Sequence, residues 1–546
     1  MHKFNNKARF SVNNQVWFLI CFEPFKNLTF AIMKMYRLFI LFIGFQLFVE
    51  YSPVYSQDRK MADAFFESGD FESAYEQYGL LSDAETDDLV LYRTAVCVLN
   101  LNMEKKEAVT ILEKLVKKEG SDPNAMYLLA RAFQMEYNFD EAIQLFTEFE
   151  KKGLGSEANL KDAGKQIDHC KNAMELMKFP MEIQFENLGA EVNSPFSDYY
   201  PFASTDETYL FFNSRKNSGG EKNDDGKFAS DIYVSESKDG KYQKAVPVNK
   251  KLLTKEFDEE IVGLSSSNLK AVIYSTDKSG TGGKLSLADV KNKNLYNPIK
   301  LPDVINTRFD EISASVNNLS KEIYFASNKP GGYGGTDLYV TRLLPNGDWG
   351  EPQNLGPTIN TIYDEDFPVL SNDGKILYFS SNGLNSMGGY DIFKADYDQE
   401  KMRYINPRNL GYPLNTPMDE MNFSISESGR YGYISAYRKE GYGDLDIYRV
   451  TFNDIEPDYT VINGNIILPE GKTFNSISMI VTDDNTGELY GEYLPNLSTM
   501  RYVIILPPGK FTLSVETDAF EFIEEKIEVL DKDAFQFEIK KDITLK

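Results

Sequence analysis

One pattern recurs five times between residues 181 and 455, and it leaves few folds open to the chain. Its fullest copy, over 359–393, contains an x-Asp-Glu step (Asp364-Glu365), an apolar strand ending in small residues (376–381) and an Asp-Ile-Phe close starting at Asp391. The step returns as Asp258-Glu259, Asp310-Glu311 and Asp419-Glu420. With Asp198 aligned as a lone acid, the intervals are 60, 52, 54 and 55 residues. The strand returns over 209–214, 271–276, 322–327 and 431–436, and the close returns at Asp231, Asp337 and Asp446, with a degenerate copy at Lys284. Each unit therefore offers several short runs of aromatic and β-branched residues separated by turn signals such as Gly331-Gly332 and Gly388-Gly389. One such sheet cannot bury both faces by itself. Radial stacking of similar sheets does so, and a repeat of this length is the mark of a propeller.

The units resemble the WD40-like repeat of TolB-type propellers. The resemblance is carried at 354–393 by Asn-Leu-Gly, Ile-Asn-Thr, Asp-Glu, Leu-Tyr-Phe-Ser-Ser and Gly-Gly-x-Asp-Ile. Five blades are expected over 181–455, or six if the long first interval hides another.

Upstream, over 58–178, the periodicity becomes helical and a second repeat appears. Ala74, Ala108 and Ala142 stand 34 residues apart, and twelve residues before each stand Ala62, Val96 and Ala130. Small residues at that spacing suit the close crossing of paired helices, and the segment resembles a tetratricopeptide array of about three units with a capping helix. Such an array offers a concave groove to a partner. Downstream, 456–546 reads as strands joined by Gly, Pro and Asn/Asp turns, a small β-sandwich. It resembles the carboxypeptidase-regulatory-like domain through Asp484-Asn-Thr-Gly-Glu488, Tyr493-Leu-Pro-Asn496 and the Leu-Pro-Pro-Gly-Lys turn ending at Lys510. The expected fold class is thus multidomain, α plus all-β: a helical array, a central β-propeller and a C-terminal β-sandwich.

That order resembles PorE-type, OmpA-family envelope proteins linked to type IX secretion. It implies a non-enzymatic scaffold of the periplasm or the periplasmic face of the outer membrane. Such a scaffold would hold envelope proteins of a secretion or gliding assembly in its helical groove and on its propeller face. Those relatives continue into a peptidoglycan-binding OmpA domain that this sequence does not carry over, so direct wall binding is not expected, and membrane association is expected to be indirect. The leader fits export: Lys34 and Arg37 precede the apolar run 38–49, and Val54-Tyr-Ser56 presents small residues for cleavage before Gln57. Residues 1–32 then read as an over-extended start and 33–56 as the signal peptide.

Composition and side-chain chemistry narrow the function further. There are 58 Lys plus Arg against 83 Asp plus Glu, a balance unsuited to a phosphate backbone, so no nucleic-acid partner is expected. The only histidines are His2 and His169, and no Gly-x-Ser-x-Gly elbow occurs, so no triad can be assembled in the repeats. No catalytic residue, metal site or cofactor is expected. The recurring acids Asp258, Asp310, Glu311, Asp364, Glu365, Asp419 and Glu420 are the candidate ligand-binding set. Catalytic carboxylates are singular whereas blade contacts repeat, so a structural role is the expectation. The alternative is a carbohydrate-binding or carbohydrate-active propeller using paired acids.

Overall fold

The computed structural model describes residues 55–546 apart from 82–86, 205, 255–256, 266, 277–282, 318, 320, 372–373, 427–428, 453–459, 498, 531–535 and 537. The expected over-extended start (1–32), and the expected signal peptide (33–56) apart from its last two residues, lie outside the described residues. The chain divides into Met1–Asp58, of which only the opening of the first helix is described, and Arg59–Lys546. No helix among the described residues is long and apolar enough to cross a membrane.

Seven helices come first among the described residues: α1 (Tyr55–Ser68), α2 (Phe71–Gly79), α3 (Asp88–Asn100), α4 (Lys106–Val116), α5 (Asn124–Met135), α6 (Phe139–Lys152) and α7 (Glu157–Leu176). From α2 onward each packs on the next. Side-chain caps start three of them: Asp70 accepts from Ser73 N, Asp87 from Leu89 N and Val90 N, and Ser156 from Asn159 N. Ala62, Ala74, Ala108, Ala130 and Ala142 are fully buried. Val96 is only half-buried, and Ala95 takes the crossing beside Ala108 instead. The connection after α3 (101–105) is longer than the one after α5 (136–138), so α3 sits one position earlier in the frame than the 34-residue spacing implies.

Five small antiparallel sheets follow. The first is β2 (Asp198–Ala203), β3 (Tyr209–Ser214) and β4 (Asp231–Lys238), with β5 (Lys241–Tyr242) and β6 (Val246–Pro247) both pairing β4. The second is β7 (Glu259–Leu264), β8 (Lys270–Ser275), β9 (Lys284–Lys291) and β10 (Asn294–Lys300). The third is β11 (Ala314–Val316), β12 (Glu322–Ser327), β13 (Asp337–Arg342) and β14 (Gln353–Asn354). The fourth is β15 (Glu365–Leu370), β16 (Ile376–Ser381), β17 (Asp391–Asp398) and β18 (Arg403–Asn409). The fifth is β19 (Ser424–Ile425), β20 (Tyr431–Ala436) and β21 (Asp446–Phe452), and it is completed from the other end of the repeat region. There β1 (Ile183–Asn187) pairs antiparallel with β21, Ile183 opposite Phe452 and Asn187 opposite Tyr448. With β2 packed on β20 and β21, the sheets close into a ring of propeller-like form. The central strands are buried on both faces, as β3 is at every residue, because each sheet lies between two others.

Two more sheets end the chain. In one, β22 (Thr460–Ile467) pairs antiparallel with β25 (Arg501–Leu506) and parallel with β28 (Glu538–Lys540) and β29 (Ile543–Thr544). The other has the order β24 (Leu489–Tyr493), β23 (Ile477–Asp483), β26 (Gly509–Thr517), β27 (Ile523–Val529). Ile462, Ile504 and Leu506 from the first face Met479, Val481, Leu513 and Val515 from the second across one core.

The expected multidomain class, a helical array, a propeller of five or six blades and a small sandwich, is corrected by this arrangement. Arg59–Lys546 is a single compact unit of helices and seven sheets. The reason lies in a shared core: Cys170 and Ala173 of α7 pack with Met387 from the fourth blade and with Val461 and Ile505. The last two residues are buried on the outer side of the sheet whose alternate residues Ile462 and Ile504 fill the sandwich interior. No part can be lifted away without exposing apolar surface on the others. The long first interval holds an insertion closed by a Lys222–Phe228 bridge, and no sixth propeller sheet lies there among the described residues.

Candidate functional site

The loop leading into β15 shows what the recurring acids do. Glu365 accepts from Thr361 N and Thr361 Oγ1 (both 2.8 Å) and from Ser381 Oγ (2.8 Å). Asp364 reaches back to the preceding blade, accepting from Thr336 N at 2.9 Å, and also takes Asn382 Nδ2 at 3.1 Å. Asn360 pairs with both backbone groups of Leu338 as a strand would (2.8 and 3.0 Å). Close backbone approach makes the Gly-Gly landmark necessary, since a Cβ on Gly335 would fall 2.3 Å from Asp364 Oδ1 and one on Gly389 2.1 Å from Asp419 Oδ1.

The same arrangement returns around the ring. Glu259, Glu311 and Glu420 accept from Thr254, Thr307 and Thr416 respectively, while Asp258 and Asp419 accept from Ser230 N and Tyr390 N of the blade before. Asp310 is exposed and bonds within its own blade, to Asn328 Nδ2 at 2.7 Å. It is preceded by the degenerate blade, where Lys284 replaces the closing Asp and bonds Thr307 O instead. The seven candidate acids do not converge on one point: the glutamates and Asp310 bond within their own blades, while Asp258, Asp364 and Asp419 tie their blades to the one before. Asp198 belongs with the glutamates, because it accepts from Ser194 N (2.5 Å) and Ser194 Oγ (2.8 Å) as Glu365 does from Thr361, which shifts the first copy by one residue.

Burial pushes Glu259 and Glu365 up to about 7 and Glu420 up to about 8, against the lowering effect of their threonine donors. The unfolded chain releases these protons near 4.5, so between about 4.5 and 8 the folded state holds more protons and stability falls as pH rises. The melting temperature is therefore expected to be higher at pH 5.5 than at pH 8.5 by calorimetry. A Glu259→Gln/Glu365→Gln/Glu420→Gln variant is expected to flatten that slope.

One residue beyond each glutamate slot, the residue type varies: Tyr199, Glu260, Ile312, Asp366 and Met421. Tyr199, Glu260 and Asp366 sit on the innermost strands β2, β7 and β15, and Ile312 and Met421 lie just before β11 and β19. Tyr199 donates to Glu260, which also lies 3.6 Å from Arg215 Nη2, and Ser313 donates to Asp366. Burial raises both carboxyls, Asp366 to about 6. The centre of the ring is closed by Tyr200 and Phe367, whose rings lie 4.4 Å apart although their blades are not neighbours. Sequence reading passed over Glu260 and Asp366. The available signal was variation at a fixed offset from a constant acid.

The helices lie across the loops of the fourth, fifth and first blades. His169 Nδ1 donates to Gly388 O at 3.2 Å, Asn172 to Ser386 O at 3.0 Å, Arg131 to Gly388 O at 3.2 Å and Asn102 to Asp444 at 2.6 Å. Burial draws His169 down to about 3, so the ring is a neutral docking donor at ordinary pH. Cys97 and Cys170 are free, buried thiols, and burial pushes the first up to about 12. Among the described residues no group of three or more His, Cys, Asp or Glu is placed to hold a metal ion.

The two layers do not close fully. A cavity of about 590 Å³ lies between α3, α5 and the fifth blade, and one of about 740 Å³ lies between α2 and the loops of the first and fifth blades. Asn100, Leu101 and Asn102 line both, so the two adjoin along one seam between the helices and the ring. Phe71, Tyr75, Phe196, Phe228 and Tyr442 bring aromatic surface to the larger part. A repeated cation stands over aromatic rings at the same loop position of three blades: Lys216 over Tyr233 (3.5 Å), Lys329 over Tyr339 (4.0 Å) and Arg438 over Phe185 (3.7 Å). Of these, Arg438 faces the smaller cavity.

No protein-family model matches the sequence, and no curated protein does. Solved structures similar to this chain include the RRP9 WD40 repeats, at 9% identity and TM-score 0.28, covering 50% of this chain and 100% of that one. They also include a GH43 beta-xylosidase/alpha-arabinofuranosidase from a compost microbial metagenome, at 12% identity and TM-score 0.34, covering 50% of this chain and 95% of that one. An oligogalacturonate lyase in complex with manganese is similar at 10% identity and TM-score 0.29, covering 50% of this chain and 97% of that one.

Proposed function

We propose that this chain is a docking scaffold that holds a segment of a partner protein in the cleft between its helices and its propeller-like ring, without turnover of its own. The observation that carries this reading is the cleft, whose walls come from α2, α3, α5 and the first and fifth blades, in a molecule whose recurring acids are committed to its own loops. Rigid layers meeting at a partly open seam are where ligand sites commonly form. In finer terms, the helices act as a short tetratricopeptide-type array. The protein works as an exported, PorE-like component of the periplasm or the periplasmic side of the outer membrane, in contact with envelope proteins of a secretion or gliding assembly. The 34-residue helical spacing, the order of the segments and the leader sequence support that assignment.

A photo-crosslinking residue at Asn102 tests it in cells. The expected result is an envelope protein captured at that position, which also binds the purified chain and is lost when exposed Asn100 becomes Trp and fills the cleft. Capture unaffected by Asn100→Trp would overturn the reading. A second reading, carbohydrate binding, is favoured by the aromatic lining of the larger cavity, since aromatic faces stack on sugar rings. It requires that a purified sample bind an oligosaccharide and that Phe196→Ala with Tyr442→Ala abolish the binding.

A further inference from the structure

Arg438 is the one arginine of the smaller cavity whose side chain makes no hydrogen bond and no ion pair with any described residue. Its Nε is buried without an acceptor, and its guanidinium lies over Phe185 at 3.7 Å and Tyr448 at 5.4 Å. A guanidinium is never discharged at physiological pH, and a partly desolvated one lacking an acceptor is costly. The stacked aromatics orient its plane and leave the N–H edge for a ligand.

The surroundings set the sign of that ligand. Lys105 and Arg131 line the same cavity, and their side chains bond neutral acceptors: Lys105 Nζ the carbonyls of Val98, Leu99 and Leu101, Arg131 the amides of Gln134 and Gln166 and Gly388 O, with burial drawing Lys105 down to about 8. Asp419 and Glu420 are its acids, and burial keeps Glu420 protonated up to about 8 although the nearby Arg438 charge draws it down. In a chain of net charge −25 this is a locally cationic cavity. At about 590 Å³, and adjoining the aromatic-lined cavity at Asn100–Asn102, it is larger than a free anion needs. We propose that the cavity between α3, α5 and the fifth blade binds a carboxylate carried on an extended peptide, with the Arg438 guanidinium as its bidentate partner. The inference rests on the docking reading and names the chemistry of the segment that is held.

The test uses the purified chain and titration calorimetry. The probes are acetyl-Ala-Ala-Glu-Ala-Ala-Glu with a free terminus, its Gln-containing amide counterpart, and sodium orthophosphate. The acidic peptide is expected to bind at least tenfold more tightly than the neutral one. Arg438→Gln is expected to weaken it at least tenfold, and Arg438→Lys by less, because a point charge lacks the fork. Lys329→Gln removes the equivalent cation from the third blade, away from the cavity. It controls for lost cation–aromatic stacking and is expected to leave binding unchanged. Equal binding of the two peptides, or no loss in Arg438→Gln, would overturn the proposal, and so would phosphate binding as tightly as the peptide. If cross-linking at Asn102 persists in Arg438→Gln, the docking reading survives while the carboxylate inference fails; if the wild type captures nothing, the docking reading itself falls.

Discussion

Replacing Glu365 with Ala is expected to cost about 3–5 kcal/mol of stability, and replacing it with Gln no more than about 1.5 kcal/mol. Ala leaves Thr361 N–H and the hydroxyls of Thr361 and Ser381 without their acceptor in a site that is fully buried. It also opens a cavity at the joint between the third and fourth blades. Gln keeps the shape, with its carbonyl turned to Thr361 N and its amide to the two hydroxyls, which can rotate to accept. The ratio of the two effects is diagnostic, because a ligand-binding acid would show little stability loss with either. Urea unfolding followed by fluorescence and circular dichroism measures both. An Ala variant within about 1 kcal/mol of the wild type would show that the loop clamp does not hold the ring together.

The second large effect concerns the shared core. Ile505→Asp places a carboxylate among Cys170, Ala173 and Met387 in a fully buried apolar cluster. The expected cost is about 4–5 kcal/mol or more, typical of an unpaired charge in an apolar core. The shape of the transition matters as much as its midpoint. With the three parts joined through α7, the wild type is expected to melt in one calorimetric transition. Ile505→Asp is expected to split it, the two terminal sheets unfolding before the ring. Two transitions in the wild type would mean that the parts fold as independent domains.

Much of the local architecture can be read along the chain. The strands expected at 209–214, 322–327, 376–381 and 431–436 coincide with β3, β12, β16 and β20, and the one at 271–276 is displaced by a single residue from β8. These runs alternate too little to face water on one side, so they must be the inner strands of stacked sheets. The acid step was legible as a repeat but not in its register. An Asp and a Glu look alike in an alignment, and only the donors that Asp198 accepts from put it in the glutamate slot. Val96 failed for a related reason, since a constant spacing between repeats does not fix helix rotation when the connections differ in length.

The cleft was beyond the reach of sequence. Lys216, Lys329 and Arg438 occupy one repeat position and look equivalent in the chain. Only the helices lying over the fifth blade, through contacts such as Asn102 to Asp444, turn Arg438 into a cavity residue.

What the chain determined alone is what closes within a few residues. A threonine four positions before a glutamate brings hydroxyl, amide and carboxylate together in one turn, so spacing alone carries that contact. Where the helices lie, and that helices, ring and terminal sheets form one body, depended on surfaces more than two hundred residues apart, such as His169 against Gly388. Shape and burial decide such contacts, and neither is written in a local pattern.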